Sequence, residues 1–342
     1  MNALVVGAGL MGRWHAHAIN RTGGTVLGVV DLDPARAAAL AARHRGARAF
    51  TSLELALEAT APGMVHICTP LDSHVSLVRH ALGAGCHVLA EKPLAATAGE
   101  TRDLLAHAES AGRLLVPVHQ FPFQRGALAL IARLSSLGRV IHFDAGTASA
   151  GAGAAPDSGA DTIVAEILPH FLALTRRILG VRLADQHWSV TRPRPGEWRV
   201  TARCEGISVS YLVSMSSRPT FAEVRVLGEH GSARLDLFHG FALFESGTVS
   251  RSAKVTRPFG VAARSLLAAS LNLTRRALRG EPAYPGLNEL VRQVHLAAAG
   301  EARNPILPDE TIDIAIARDR LIALAAASCH PVHPLAGDSR DC

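Results

Sequence analysis

The chain of 342 residues is poor in lysine, aromatics and cysteine, and each scarcity narrows what it can be. Lysine occurs only at Lys92 and Lys254, so arginine carries nearly all of the formal charge of +6. Surfaces that bind nucleic acid interleave basic residues with aromatics on which bases stack, and aromatics make up only 4% here. The densest basic cluster, Arg275, Arg276 and Arg279, falls on one predicted helix with no aromatic between, and reads as a solvated helix face. No nucleic-acid partner is expected. The five cysteines (Cys68, Cys86, Cys204, Cys329 and Cys342) show neither metal spacing nor a disulfide framework, which suits a reduced, cytoplasmic protein. No run of about 18 apolar residues appears, so no membrane span is expected. The apolar opening Ala3–Val6 lacks the basic flank of a secretory signal.

What is present is the make-up of a packed globular protein, with 48% apolar and 19% charged residues. The length suggests roughly two domains at about 150 residues each, large enough to need no metal or disulfide staple. Short apolar runs at Ala3–Val6, Leu27–Val30, Val65–Cys68, His87–Ala90 and Leu114–Val118 predict buried strands. Between them, helical patterns run from the glycine loop to about Asn20, then over Pro34–Arg45, Ser73–Leu82 and Ala98–Ser110. Strands alternating with helices predict a doubly wound α/β unit with a parallel sheet over residues 1–119.

The rhythm then changes. Gly151–Gly159 reads as a loop, and Pro169–Leu179 as a helix with proline near its start. From Trp198 to Phe244 the apolar period is two, with hairpin signals at Glu205-Gly206 and Gly228–Gly231. This predicts an antiparallel sheet with one face on helices and the other open to solvent or a partner. Helices follow near Ala262–Leu278, Leu287–Ala299 and Asp309–Ala327, and the tail His330–Cys342 has no period and is expected to be mobile.

Three motifs can carry chemistry. Gly7-x-Gly9-Leu10-Met11-Gly12 follows a strand and opens a helix, with Asp31 nineteen residues beyond its last glycine. That is the layout of a dinucleotide site: glycines for the tight turn, the helix end for the pyrophosphate, and the acid for the ribose hydroxyls. Asp31 argues for NAD over NADP, because a carboxylate repels a 2′-phosphate; Arg36 is the residue that could reach one. Cys68-Thr69-Pro70 with His74 lies at a strand's carboxyl end, where ligands of such sheets collect. A proline turn with a helix cap would read the same way. Glu91-Lys92-Pro93 lies at the next strand end, where a lysine can hold a substrate oxygen and stabilise charge growing on it. An isolated motif of this kind is more often a surface lysine beside a turn. Seventeen histidines include no metal-binding pattern with a convergent carboxylate, so no metal is expected. His15 reads as a helix residue near the cofactor.

Together, Gly7–Gly12, Asp31-x-Asp33-Pro34, Cys68-Thr69-Pro70 with His74, and Ala84–Leu94 resemble the glucose–fructose oxidoreductase / inositol dehydrogenase / MocA (Gfo/Idh/MocA) family. The resemblance is strongest over about residues 1–145 and continues at Leu227–Ala233 and Asn304–Leu324. It implies a Rossmann domain (1–119) and an α+β domain (120–329) on a large, open, mostly antiparallel sheet used for oligomerisation, as a homodimer or homotetramer. It also implies a nicotinamide cofactor bound by Gly7, Gly9, Leu10, Met11, Gly12, Asp31, Cys68, Thr69, Pro70, His74, Glu91 and Lys92. The family's D-x-G-x-H stretch matches Glu166-Ile167-Leu168-Pro169-His170, with a longer acid and no glycine. Lys92, His170 and Glu166 are therefore the catalytic candidates, Glu166 facing His170 if Pro169 opens the helix. Lys92, His119, Gln120 and His170 are the substrate-binding candidates, while Phe121 and Phe123 read as packing between domains. The expected activity is dehydrogenation or reduction at a secondary alcohol, ketone or C=N group of a sugar, polyol or related metabolite. A non-catalytic dinucleotide sensor and an NAD-dependent glycoside hydrolase are the alternatives.

Overall fold

The computed structural model describes residues 1–149, 157–247 and 250–328. Six parallel strands form the first sheet: β1 (Asn2–Val6), β2 (Thr25–Val30), β3 (Arg48–Phe50), β4 (Met64–Ile67), β5 (His87–Ala90) and β6 (Leu115–Pro117). Their order, β3-β2-β1-β4-β5-β6, reverses direction between β1 and β4, so the loops after those strands diverge and leave a crevice for a ligand. Five helices connect them: α1 (Leu10–Arg21), α2 (Pro34–Ala41), α3 (Leu53–Thr60), α4 (His74–Gly83) and α5 (Ala98–Ser110). Alternation along β1 sends Leu4 and Val6 to the face covered by α3, α4 and α5. It sends Ala3 and Val5 to the face covered by α1. The caps are local: Asp33 accepts from the amides of Ala35 and Arg36, and Thr97 and Glu100 form a reciprocal capping box on α5. β3 and α3 were not anticipated. β3 is a three-residue edge strand without a buried face, and neither element offers a long apolar period.

After α6 (Arg125–Ala132), seven strands form the second sheet: β7 (Val140–Ala148), β8 (Trp188–Arg194), β9 (Glu197–Cys204), β10 (Ile207–Ser214), β11 (Phe221–Gly228), β12 (Gly231–Asp236) and β13 (Phe241–Ser246). The order is β13-β12-β11-β7-β10-β9-β8, and only the β7–β10 pair is parallel. The Glu205-Gly206 hairpin is present, with φ of 50° and 88°, the left-handed pair that a two-residue turn between twisted strands requires. β7 and β8 extend the sheet beyond the stretch in which alternation was evident.

The inner face of this sheet carries Phe143, Val209, Tyr211 and Val224. It packs on α7 (Asp157–Leu179) and α10 (Pro308–Ala327) through Leu168, Phe171, Leu172, Ile314 and Leu321. Pro169 does not open a helix as expected; it lies inside α7, which already runs through Gly159. The rest of the expected Gly151–Gly159 loop up to residue 156, and the tail from His330, fall outside the described residues. The long α8 (Arg251–Leu278) packs on β13. The chain then crosses back, and Leu287, Leu290, Val291 and Val294 of α9 (Leu287–Ala298) join the core beneath α1. A linear division at residue 119 does not capture that return.

Candidate functional site

The glycine loop fits a diphosphate for reasons visible in its backbone. Gly7 has φ +95°, and a Cβ there would lie 2.7 Å from the Cys68 carbonyl oxygen. A Cβ on Gly12 would lie 1.8 Å from the Gly7 oxygen, so α1 could not seat on the loop with any larger residue. At Gly9 the nearest atom to such a Cβ is an arginine tip at 3.4 Å, which leaves that side open to a ligand. No side chain caps α1, so the amides of Leu10, Met11 and Gly12 point out of the helix end as anion donors. Asp31 stands beside this loop: its Oδ2 accepts from Ala8 N at 2.7 Å and its Oδ1 from Asp33 N at 3.0 Å. The residues present therefore fit a dinucleotide, with Asp31 at the ribose end. The Arg36 guanidinium lies 3.9 Å from Asp31 and is 56% exposed, free to swing toward an added phosphate.

The loops after β4 and β5 are stitched together by His74. Its Nε2 lies 2.9 Å from the Thr69 carbonyl oxygen and its Nδ1 3.0 Å from that of Pro93. Ser73 donates to Thr69 Oγ1 at 2.7 Å, fixing the turn at Pro70. Cys68 is no nucleophile: burial and the nearby Glu91 push its thiol well above the ordinary range. His74 thus ties the loop after β4 to the Glu91-Lys92-Pro93 turn.

Lys92 leaves that turn, is half-buried, and its Nζ donates to the Glu166 carbonyl oxygen at 2.9 Å. Pro169 explains why α7 has a carbonyl to offer Arg318. A proline has no N–H and its ring crowds the carbonyl four residues back, so Ala165 O loses its helical donor. Arg318 on α10 approaches that oxygen with Nε at 3.4 Å, while its Nη1 donates to Ala96 O at 2.9 Å. The two carbonyls beside the proline are thus taken up by two cations. Burial lowers the Lys92 pKa below the ordinary lysine value; Glu91 and Glu166 oppose the shift and Arg318 adds to it.

His119 and Gln120 follow β6, and His170 reaches the same place from α7. Burial, with Lys92 nearby, pulls His119 down to about 3 and His170 well below the ordinary histidine range, so both rings are neutral at pH 7. His119 Nδ1, Gln120 Oε1 and His170 Nδ1 are buried polar atoms without a hydrogen-bond partner, each available to a polar ligand. The ring of Phe121 stacks on His170 with centroids 4.3 Å apart and planes 17° from parallel. A void of about 20 Å³ lined by Pro93, His119, Pro169 and Arg318 has room for roughly one water.

Lys92, His119 and His170 therefore come together from β5, β6 and α7. Glu166 is hydrogen-bonded to Lys92 only through its backbone: its side chain is exposed, and among the described residues no hydrogen bond links it to His170. The expected steering of His170 by the Glu166 carboxylate gives way to stacking by Phe121. Arg318, on the far side of the chain, carried no sequence signal. Phe123 is buried with the first sheet, as packing requires. Of the arginine cluster, Arg276 is spent on the carbonyls of Glu281, Pro282 and His239. His15, on the inner face of α1, is fully enclosed and faces Glu91 and His66.

Residues 1–119 match the sequence model of an oxidoreductase family with an NAD-binding Rossmann fold, Gfo/Idh/MocA. That match covers the nucleotide-binding unit, about a third of the chain. Inositol 2-dehydrogenase of Leifsonia xyli subsp. xyli is 42% identical over 123 residues, 35% of either chain. Inositol 2-dehydrogenase 4 of Saccharopolyspora erythraea is 31% identical over 195 residues, 56% of either chain. The matches thus span from about a quarter to just over half the length of these curated relatives. Among solved structures, UDP-N-acetylglucosamine 3-dehydrogenase from Acidithiobacillus ferrooxidans superposes with a TM-score of 0.73 at 19% identity, covering 96% of this chain and 98% of that one. The WlbA dehydrogenase from Bordetella pertussis, solved with NADH and UDP-GlcNAcA, gives 0.73 at 17% identity, covering 96% of each. At such identities these two show that the two-sheet fold is shared along the chain beyond the Gfo/Idh/MocA unit.

Proposed function

We propose that the protein is an NAD-dependent oxidoreductase that interconverts a secondary alcohol and a ketone, or a related C=N group, on a sugar, polyol or similar small metabolite. The observation that carries this reading is the meeting of Lys92, at the cofactor edge of the first sheet, with the neutral His119 and with His170 from the second unit. Bound NAD supplies the acceptor for the two electrons that leave the carbon when an alcohol is oxidised. Lys92 spends one ammonium proton on Glu166 O and has two left to hold the reacting oxygen. That bond strengthens as negative charge grows on the oxygen. A neutral His170 with an unpartnered Nδ1 accepts the hydroxyl proton, and Phe121 keeps its ring in plane for it. His119 and Gln120 present further polar atoms to the substrate. The amides of Leu10, Met11 and Gly12, with Asp31, Thr69 and Pro70, orient the cofactor. NADP is a second reading for the cofactor, favoured by the exposed Arg36 beside Gly9.

In this reading residues 1–119 form the cofactor unit and 120–329 the substrate and oligomerisation unit, with α9 bracing the former. The outer face of the second sheet, with exposed Arg199, Thr201, Arg203, Arg225 and Arg234, is the surface through which a homodimer or homotetramer would form. Cys68, Cys86 and Cys204 are free thiols, in keeping with a cytoplasmic location. No helix among the described residues is long and apolar enough to cross a membrane. The test is a panel of sugars, inositols and polyols followed by NADH absorbance. Turnover on at least one, lost in Lys92→Ala, is expected; no turnover on any, with NAD bound, would favour a dinucleotide sensor.

A further inference from the structure

Three histidines lie in a row inside the nucleotide-binding unit and take no part in the mechanism above. His15 on α1 places its Nε2 3.2 Å from Glu91 Oε1 and its Nδ1 3.0 Å from His66 Nδ1. His66, in the middle of β4, places its Nε2 3.3 Å from His295 Nε2 on α9. The ring planes are nearly perpendicular, at 86° and 79°. His15 and His66 are fully enclosed, whereas His295 is 7% exposed. At the inner end, Glu91 precedes Lys92 and accepts from its amide at 3.3 Å. Among the described residues the row is a continuous path of polar atoms from the Lys92 turn to the opposite face of the domain.

With His15 neutral, the donor count fixes the rest of the row. A carboxylate only accepts, so His15 donates from Nε2 to Glu91, and its Nδ1 is left as an acceptor. His66 must then donate from Nδ1, its Nε2 accepts, and His295 donates from Nε2. Every nitrogen between Glu91 and His295 is satisfied with all three rings neutral. Burial favours that neutral state, lowering His66 well below its ordinary range and His295 to about 4. The other titratable groups facing the row are the amino terminus of Met1 at His295, and Cys68, Tyr284 and Lys92 at Glu91.

We propose that Glu91, His15, His66 and His295 form a proton line between the reacting cleft and solvent on the far side of the nucleotide-binding domain. Inward, a proton adds to His295 Nδ1, and the Nε2 proton of His295 passes to His66 Nε2. The Nδ1 proton of His66 passes to His15 Nδ1, and the Nε2 proton of His15 passes to Glu91. One proton enters and one arrives, and each ring ends neutral with its tautomer exchanged. Reduction of a ketone takes up one proton per turnover inside a covered cleft, and the line, protonated as above, is its inlet. This role rests on the oxidoreductase reading; the protonation pattern does not. The four residues are positioning and relay groups, none of them touching the reacting carbon.

The protonation pattern is tested without cofactor or substrate, by NMR of the intact protein carrying ¹⁵N-labelled histidine at pH 7. His15 is expected to carry its proton on Nε2 and His66 on Nδ1, both rings neutral. A cationic His66, or one protonated on Nε2, overturns the line. The transport role is tested with His66→Leu, and with His295→Gln in case the first variant does not fold. A single turnover of NADH with a reducible substrate is followed by NADH absorbance and by a pH indicator in weak buffer. Wild type is expected to take up its proton together with the loss of NADH, and the variants to lag by about tenfold or more while binding NAD normally. Simultaneous uptake in a folded variant overturns the transport role. Absence of turnover in the wild type would instead count against the oxidoreductase reading, leaving the tautomer measurement to judge the line.

Discussion

Lys92 holds the backbone carbonyl of Glu166 at 2.9 Å, and the Glu166 carboxylate acts on it only as a nearby charge that raises its pKa. The lysine's hydrogen bond therefore follows the path of α7, and not the side chain of the acid that stands where the family's motif has its aspartate. This tie couples the cofactor edge of the first sheet to the helix that carries His170.

Lys92→Ala is expected to lower turnover by about two to four orders of magnitude, the usual worth of a charge-stabilising or proton-handling group. NAD affinity, measured by fluorescence quenching, should change by less than about threefold. Normal kinetics in the variant would show that the lysine is not at the reacting oxygen.

Glu166→Gln keeps the carbonyl and removes only the charge. Turnover within about fivefold of wild type is expected, because His170 is held by Phe121. Phe121→Ala should cost more than Glu166→Gln in kcat with KM less affected. The reverse ranking would restore the carboxylate as the group that steers the histidine.

Gly12→Ala places a methyl group 1.8 Å from the Gly7 oxygen, so α1 must shift or the loop must open. NAD binding should weaken by at least about tenfold, read by calorimetric titration. Asp31→Ala removes the acceptor of the Ala8 amide and the partner expected for the ribose. It should cost on the order of 1–2 kcal/mol toward NAD and narrow the gap to NADP, since the repulsion of a 2′-phosphate goes with it.

Stability should fall with acid. His119 and His295 titrate at about 3 and about 4 in the folded chain, against about 6.5 when unfolded. Between those values the unfolded chain binds protons that the folded one refuses, so their contribution is complete above about pH 6.5 and lost as the pH drops toward 3–4. The loss at pH 5 is on the order of 2 kcal/mol for each ring. Urea midpoints at pH 7.5 and pH 5 measure it, and His119→Asn should flatten the dependence by about one histidine's share.

Much of this was legible in the residues because it is local. Gly7, Gly12 and Asp31 announce a turn, a close approach and an acid at one strand's end, and Glu205-Gly206 announces a left-handed hairpin. Pro169 misled because proline is most at home in a helix's first turn. Here it sits mid-helix, and the carbonyl it deprives, that of Ala165, is approached by Arg318. The return of α9 to the first sheet, and the meeting of His66 with a residue 229 positions away, depend on packing that no local pattern encodes. Glu166 illustrates the limit from the other side: the motif pointed to the right position, while the atom used there is one every residue has.

A crystal structure with NAD at saturating concentration tests the central claim most directly. The pyrophosphate is expected on the amides of Leu10, Met11 and Gly12, and the nicotinamide beside Lys92, with its Nζ turned into the cleft shared with His170. An empty crevice, or a Lys92 ammonium directed to bulk solvent in the closed complex, would contradict the account.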